Sequence, residues 1–413
     1  MRFSTILSTE RFTSRFLRSV PLFLLLLLLV APAAFSAARG ETEARDITAE
    51  CRLTPGSNSK KFSRCLDRAY KTYWQSEGGK RSWIEIAAPE GETLSGVWLQ
   101  WYDHPHAWGL QLPEESGGWA DYTHTDGLYL SEYLSLPEGT TACRVVNAPG
   151  NTRRFMLDEL RVYSSGETPR EVQRFVPPAE KADLMLLVAH PDDEVLWFGG
   201  TLPLYAGERG KTCQICMMVP STPYRRLELL DCLRTCGVKN YPVWGIFRDA
   251  YTNSLKKQYR SWDQNYTYKL VTGWIRRFKP EVLLTHDFNG EYGHGAHRVC
   301  ADAVDKCLDF AANKKKYKES AQEYGTWSVP KCYIHLCGIR PIDMDWRQPL
   351  KAFDGKTGFE VAEAGFLCHV SQQVTEYRVE DFGPWDNSLF GLYFTRVGDD
   401  VEKNDFFEHL EEP

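Results

Sequence analysis

The stretch "LLVAHPDDEVLWFGG", residues 186–200, sets an imidazole, a proline turn and three consecutive carboxylates directly behind a run of aliphatic residues. Packing supplies no reason to crowd His190, Asp192, Asp193 and Glu194 there, because a core would have to pair or neutralise each charge. Metal-assisted hydrolysis does supply one. A catalytic zinc takes three protein ligands from histidines and carboxylates and leaves a position for water. His190, Asp193 and, in the later stretch "FNGEYGHGAH", His297 can form that set. Asp192, next to a ligand but pointing elsewhere around the turn, is the natural base for the water. Tyr292 and His294 are of the types that stabilise a developing oxyanion.

Each piece also has a plainer reading. A His-x-x-His spacing arises by chance, and "HPDDE" suits a helix start, where proline and acids are favoured. Two histidines and one carboxylate would also accept iron(II). The two stretches gain weight together, because each follows a strand-like run.

Those runs are "DLMLLVAH", "CQICMMVP", "YPVWGI", "EVLLTH" and "KCYIHLC", separated by helical segments such as 223–236 and 269–278. From Ala296 onward, Val299, Cys300, Ala303, Val304, Cys307 and Leu308 follow the spacing of one apolar helix face. Alternating strands and helices predict an α/β domain over 183–405, with a Rossmann-like, mostly parallel sheet and helices on both faces. Ligands collect at the carboxyl ends of such strands, where both acidic and histidine-rich loops would lie.

Residues 47–166 read differently. In "SGVWLQWY", Val97, Leu99 and Trp101 alternate with Trp98, Gln100 and Tyr102, and "SWIEIAAP" and "LDELRVY" repeat the period of two. Short strands without a long helical period predict an antiparallel β-sandwich. Residues 167–182 read as a linker. Six of the 13 tryptophans fall in this half. Trp101, Trp108 and Trp119 sit near segments that look like loops, where aromatic faces could cover a pyranose ring; the alternative for each is the core.

Residues 1–36 have the form of a secretory signal, with four arginines before "PLFLLLLLLVA" and small residues after it. The competing reading is a membrane anchor. The chain carries 49 Lys and Arg against 55 Asp and Glu; removing four Arg and one Glu leaves 45 against 54, a net charge of −9. Without a basic stripe, nucleic acid is not an expected partner. Outside the cytoplasm the 12 cysteines could pair, with Cys51–Cys65 and Cys332–Cys337 as short-range candidates. Cys213, Cys216, Cys232 and Cys236 have a metal-like spacing, but their apolar strand and helix surroundings favour core thiols or disulfides. Asn265-Tyr-Thr is a glycosylation sequon.

Two resemblances follow from these motifs. "CLDRAYKTYWQSEGGKRSWIEIAAP", "LSGVWLQWY" and "CRVVNAPGNTRRFMLDELRVY" resemble the discoidin-like, coagulation-factor type C module, which implies a carbohydrate-binding role or attachment to a cell surface. "AHPDDE" with "THDFNGEYGHGAH" strongly resembles the PIG-L or LmbE-like zinc-dependent de-N-acetylases, together with "YRRLELLDCLRTCGV", "FRDAY", "HVSQQ" and "GLYFTRVG" in the family's order. The resemblance implies that His190, Asp193 and His297 hold zinc, that Asp192 is the general base and His294 the general acid. It further implies that Tyr292 polarises the carbonyl and that Arg225 and Asp249 contact the sugar, with Arg226 the adjacent alternative to Arg225.

The expected protein is a secreted, zinc-dependent deacetylase that removes acetyl from an N-acetylglucosamine-type sugar in a glycan or glycoconjugate. Its rivals are a glycan-binding protein with an inactive hydrolase domain and a membrane-anchored lipid-glycan deacetylase.

Overall fold

The structure is a computed structural model describing residues 43–410 apart from 170, 171 and 173. The expected signal segment, 1–36, lies outside the described residues. Among the described residues no helix is long and apolar enough to cross a membrane.

The first nine strands are β1 (Arg52–Pro55), β2 (Trp74–Gln75), β3 (Trp83–Ala87), β4 (Leu94–Trp101), β5 (Trp108–Pro113), β6 (Trp119–Thr125), β7 (Ser131–Ser135), β8 (Ala142–Asn147) and β9 (Met156–Ser164). They form two antiparallel sheets, ordered β1-β3-β8-β5-β6 and β2-β9-β4-β7. Ile84, Ile86 and Val145 of one sheet share an apolar core with Val97, Leu99 and Leu160 of the other. The alternation in β4 is therefore a real facing pattern, but its second face is covered too: Trp98 packs with Tyr133, Tyr163 and Val172.

Trp101 and Trp108 are fully buried in the core. They do not form a sugar-binding face, and the segments holding Trp108 and Trp119 are strands, not loops. Trp119 instead covers the Arg144 guanidinium, 4.5 Å away, which also lies over Trp83.

The second half builds a seven-stranded sheet from β10 (Leu184–Val188), β11 (Cys213–Met217), β12 (Val243–Trp244), β13 (Val282–Thr285), β14 (Lys331–His335), β15 (Pro341–Asp343) and β16 (Leu389–Thr395), in the order β12-β11-β10-β13-β14-β16-β15. The first five are mutually parallel, and β16 pairs antiparallel with both β14 and β15. The helices are α1 (Asp193–Leu196), α2 (Pro223–Thr235), α3 (Leu255–Ser261), α4 (Gln264–Phe278), α5 (Gly295–Ala312), α6 (Lys318–Tyr324) and α7 (Gly358–Leu367).

β10 shows why its sequence is a continuous aliphatic run: both faces are buried. Leu184, Leu186 and Val188 join the core containing α2 and α7, while Met185 and Leu187 join the core of α4 and α5. From β10 the chain steps to β11 and β12 on one side, then returns to β13 and β14 on the other. The switch in direction falls between β10 and β13, and it opens a crevice at their carboxyl ends.

The described residues form one compact unit. The Tyr70 hydroxyl donates to Asp231 of α2 at 2.5 Å, and the Leu130 N–H donates to the Tyr241 hydroxyl at 3.2 Å. All twelve cysteines are free thiols, so Cys51–Cys65 and Cys332–Cys337 are not bridges. Cys213 and Cys216 sit on opposite faces of β11 in separate cores.

Candidate active site

β10 runs into His190, and α1 starts three residues later with Asp192 as its cap. Asp192 has φ 119°, a conformation that costs a non-glycine residue on the order of 1–3 kcal/mol unless its surroundings enforce it. They do: its N–H donates to Glu194 Oε2 at 2.9 Å, and Glu194 Oε1 meets His369 Nε2 at 2.6 Å. Both Glu194 and His369 are fully buried. The turn thereby aims Asp192 and Asp193 in different directions.

β13 ends at Thr285, and the following loop brings His286, Glu291, Tyr292 and His294 over the same crevice. Tyr292 takes φ 44° between Gly290 and Gly293, both at positive φ. A Cβ at Gly290 would lie 2.4 Å from the His294 carbonyl oxygen, so only glycine fits. His294 caps α5, its Nδ1 accepting from the Ala296 N–H at 3.1 Å, and His297 follows in the first helical turn.

These turns bring together the residues expected to hold metal. His190, Asp193 and His297 each offer a ligand atom, all within 4.8 Å of one another. The Asp193 carboxylate accepts from the His190 N–H at 2.7 Å and from Trp197 Nε1 at 2.9 Å, and lies 3.3 Å from His297 Nε2. Burial opposes its charge, but His297 and His286 hold it well below the ordinary carboxylate range. His190 Nε2 and His297 Nε2 are buried without a hydrogen-bond partner. Two orphaned imidazole nitrogens beside an ionised carboxylate fit a borderline-soft cation.

The second layer comes from a residue whose role was not recognised in the sequence. Glu291 Oε2 meets Nδ1 of His286 at 2.8 Å and Nδ1 of His297 at 2.7 Å; Oε1 meets His335 Nδ1 at 2.6 Å. Burial raises its pKa, but the three imidazoles draw it well below the usual value. An acceptor-only carboxylate puts the His297 proton on Nδ1 and leaves the Nε2 lone pair free. A signal existed: His335 is a histidine inside the apolar strand run "KCYIHLC", and such a residue needs a buried partner.

Asp192 lies beside this centre with its side chain 13% exposed to the crevice. Burial is the main cause that pushes its pKa up to about 6; Arg225 opposes this, and Asp193 adds to it. Arg225 Nη2 is 3.2 Å from Asp192, and Arg225 also donates to the Pro191 carbonyl. Arg225 Nη1 lies 3.8 Å from Asp249, which in turn stands 3.5 Å from His190 Nε2. Arg225, not Arg226, is therefore the arginine of this crevice; the charge of Arg226 acts on Tyr102 and His104. Burial, with Asp193 and Asp192 adding to it, keeps the Tyr292 phenol protonated.

His294 lies against both histidine ligands. Its ring stands 4.7 Å from that of His297 and 4.8 Å from that of His190. The Ala296 N–H occupies Nδ1, so the neutral ring carries its proton on Nε2. Burial, then His297 and His190, push the pKa down to about 3. A neutral ring of this tautomer offers Nε2–H as a donor.

Glu194, Cys232 and His369 form a second close set. Glu194 and His369 are bonded to each other, and burial holds the Cys232 thiol well above its ordinary value, so this set serves the Asp192 turn.

Residues 185–308 match the family described as PIG-L: GlcNAc-PI de-N-acetylase. The chain is 30% identical to 1D-myo-inositol 2-acetamido-2-deoxy-alpha-D-glucopyranoside deacetylase 1 of Catenulispora acidiphila, over 38% of this chain and 58% of the relative. It is 29% identical to the corresponding deacetylase of Geodermatophilus obscurus, over 36% of this chain and 60% of the relative. The chain thus spans under two thirds of the length of these curated relatives. Among solved structures, N,N'-diacetylchitobiose deacetylase from Pyrococcus horikoshii is similar, with 18% identity, a TM-score of 0.35, and coverage of 46% of this chain and 71% of that one.

Proposed function

We propose that this chain is a zinc-dependent hydrolase that removes the acetyl group from an N-acetylglucosamine-type sugar in a glycan or glycoconjugate. One observation carries the reading: His190, Asp193 and His297 converge with two Nε2 atoms that make no hydrogen bond, next to an Asp192 held partly open to the crevice. The match of 185–308 and the names of the relatives support the amide as the bond and the amino sugar as the substrate class.

His190, Asp193 and His297 would hold the zinc, which would supply Lewis acidity and a water of lowered pKa. Asp192 takes the water proton as oxygen adds to the carbonyl carbon. The Tyr292 hydroxyl and the His294 Nε2–H donate hydrogen bonds to the developing oxyanion. When the carbon–nitrogen bond breaks, the amine leaves with the proton that Asp192 carried, giving acetate and a free amino sugar. Arg225 and Asp249 hold sugar hydroxyls at the mouth.

The finer features belong to the same proposal. The parallel order of β10, β11, β12, β13 and β14 supports a Rossmann-like hydrolase domain over 183–405 after a discoidin-like sandwich over 47–166. The leucine run flanked by arginines supports secretion. The motif resemblance supports attachment of the sandwich to a glycan or cell surface. The test is acetate release by the purified protein from a panel of N-acetylated sugars, with and without chelator. Release that stops with chelator is expected; no release from any member overturns the reading.

A further inference from the structure

Away from the crevice, at the other end of α2, lies a cavity of about 600 Å³ to which the proposed chemistry assigns no role. The helix runs from Arg225 in the crevice to Thr235 in the cavity wall, about 15 Å along its axis. α7 also contributes to the wall, through Val361 and Ala364. The floor is apolar and closely fitted. The Phe353 ring lies against Gly207, where a Cβ would come within 2.3 Å of it, and a Cβ at Gly237 would come within 2.7 Å of the Gly207 Cα.

Four cations line this cavity: Arg174, Arg234 in the last turn of α2, Lys239 in the turn after it, and Lys356 just before α7. Asp354 is the only carboxylate among the described lining residues. The chain as a whole carries a formal charge of −6, so the positive excess is local. The carboxyl end of α2 accounts for Arg234 and Lys239, since cations are favoured beside helix carbonyls, but not for Arg174 or Lys356. Arg174 is held in place: its Nη2 donates to Ser135 Oγ at 2.9 Å, and its guanidinium lies 4.8 Å from the Tyr133 ring centroid. Neither contact neutralises it. Arg234 Nε stands 3.5 Å from Asp231, whose other oxygen accepts from Tyr70. Arg174, Lys239 and Lys356 have no ion-pair partner among the described residues.

We infer that this cavity binds an acidic saccharide, whose ring covers Phe353 while its carboxylate or sulfate meets the surrounding cations. A neutral sugar would leave those cations without a countercharge, and a bare inorganic anion would leave the apolar floor uncovered. A uronic or sulfated sugar satisfies both, because arginine and lysine form their strongest hydrogen bonds to such oxyanions. The volume falls within the ~300–1,000 Å³ of small-molecule sites. Lying at the far end of α2 from Arg225, the site holds a sugar other than the one at the candidate metal centre.

The test is calorimetry of the full chain at low salt with trigalacturonate, a sulfated galactose disaccharide, neutral cellotriose and inorganic sulfate. Binding is read without turnover, so the outcome does not depend on the deacetylase reading. At least one acidic saccharide is expected to bind tenfold or more tightly than both cellotriose and sulfate, and added salt should weaken it. Lys239→Gln and Lys356→Gln should each weaken that binding at least threefold, and the double variant at least tenfold, with melting temperatures near the wild-type value. Lys314→Gln, an exposed lysine beyond α5 on the other face of the sheet, should leave it unchanged. Sulfate bound as tightly as the saccharides would overturn the sugar as ligand. No binding of either acidic saccharide, equal binding of cellotriose, or binding that survives the double variant would overturn the site.

Discussion

The Glu291 carboxylate stands 2.7 Å from Nδ1 of His297, with both groups fully buried. The same oxygen meets His286 and the other oxygen meets His335, so one charge orients three imidazoles from three elements. Glu291→Gln replaces an acceptor by a group that is half donor, and one histidine N–H then faces an amide N–H. Metal affinity and activity should each fall about 10- to 100-fold, the usual scale for such partners. Metal analysis and kinetics on the purified variant check this; unaltered metal content would show that the ring orientations are set elsewhere.

Asp192 is expected to act on rate and not on metal binding, since its carboxylate faces Arg225. Asp192→Asn should lose on the order of a hundredfold or more in kcat while zinc stays bound. Loss of zinc in this variant would move Asp192 from base to ligand. Glu194→Gln probes the turn behind it: the Asp192 N–H keeps an acceptor, but the His369 contact changes. A fall in kcat with little change in KM is the expected split.

Asp158 gives a pH prediction away from the crevice. It is the extra residue of a bulge in β9, opposite the Gln100–Trp101 step of β4. Its Oδ1 is buried without a partner. Burial, with Glu159, Asp231 and Asp67 adding to it, raises the pKa from the ordinary 3.8 to about 8. A folded-state pKa above the unfolded one favours the protonated form, so this stabilisation is complete below pH 3.8 and drains away as pH rises toward 8. Asp158→Asn cannot ionise. It should stabilise the protein by about 1 kcal/mol or more at pH 8 and change little at pH 4. Thermal melts at the two pH values decide; a gain independent of pH would contradict the assignment.

The segment 167–182, which reads as a linker, makes a start near Val176 the natural way to isolate the second half of the chain. The contacts Tyr70–Asp231 and Leu130–Tyr241 would be cut, and Tyr241 would lose the ring of Tyr129 at 4.6 Å. The fragment should melt several degrees below the full chain in calorimetry. An equal melting temperature would mean that these contacts add nothing.

The legible part of the site was the part written contiguously. His190 and Asp193 follow one aliphatic strand, and His297 follows another after a short loop; strand period and ligand chemistry together suffice to pair them. Glu291 was illegible as an organiser because its partners come from a loop, a helix and β14, and nothing local joins them. Trp101 and Trp108 were placed near loops because glycine, proline and histidine crowd "YDHPHAWG", yet two facing sheets bury both rings completely. The proton on His294 depends on one backbone N–H, which only the cap geometry of α5 reveals.

The central claim is that deacetylation occurs at the His190–Asp193–His297 centre. The most direct measurement strips the protein with chelator and titrates zinc back while recording acetate and free amine from an N-acetylated sugar. The expected result is no turnover in the stripped protein, then acetate and amine in equal amounts, rising until one zinc is bound per chain. Undiminished turnover without metal, or no acetate at any zinc level, would contradict it.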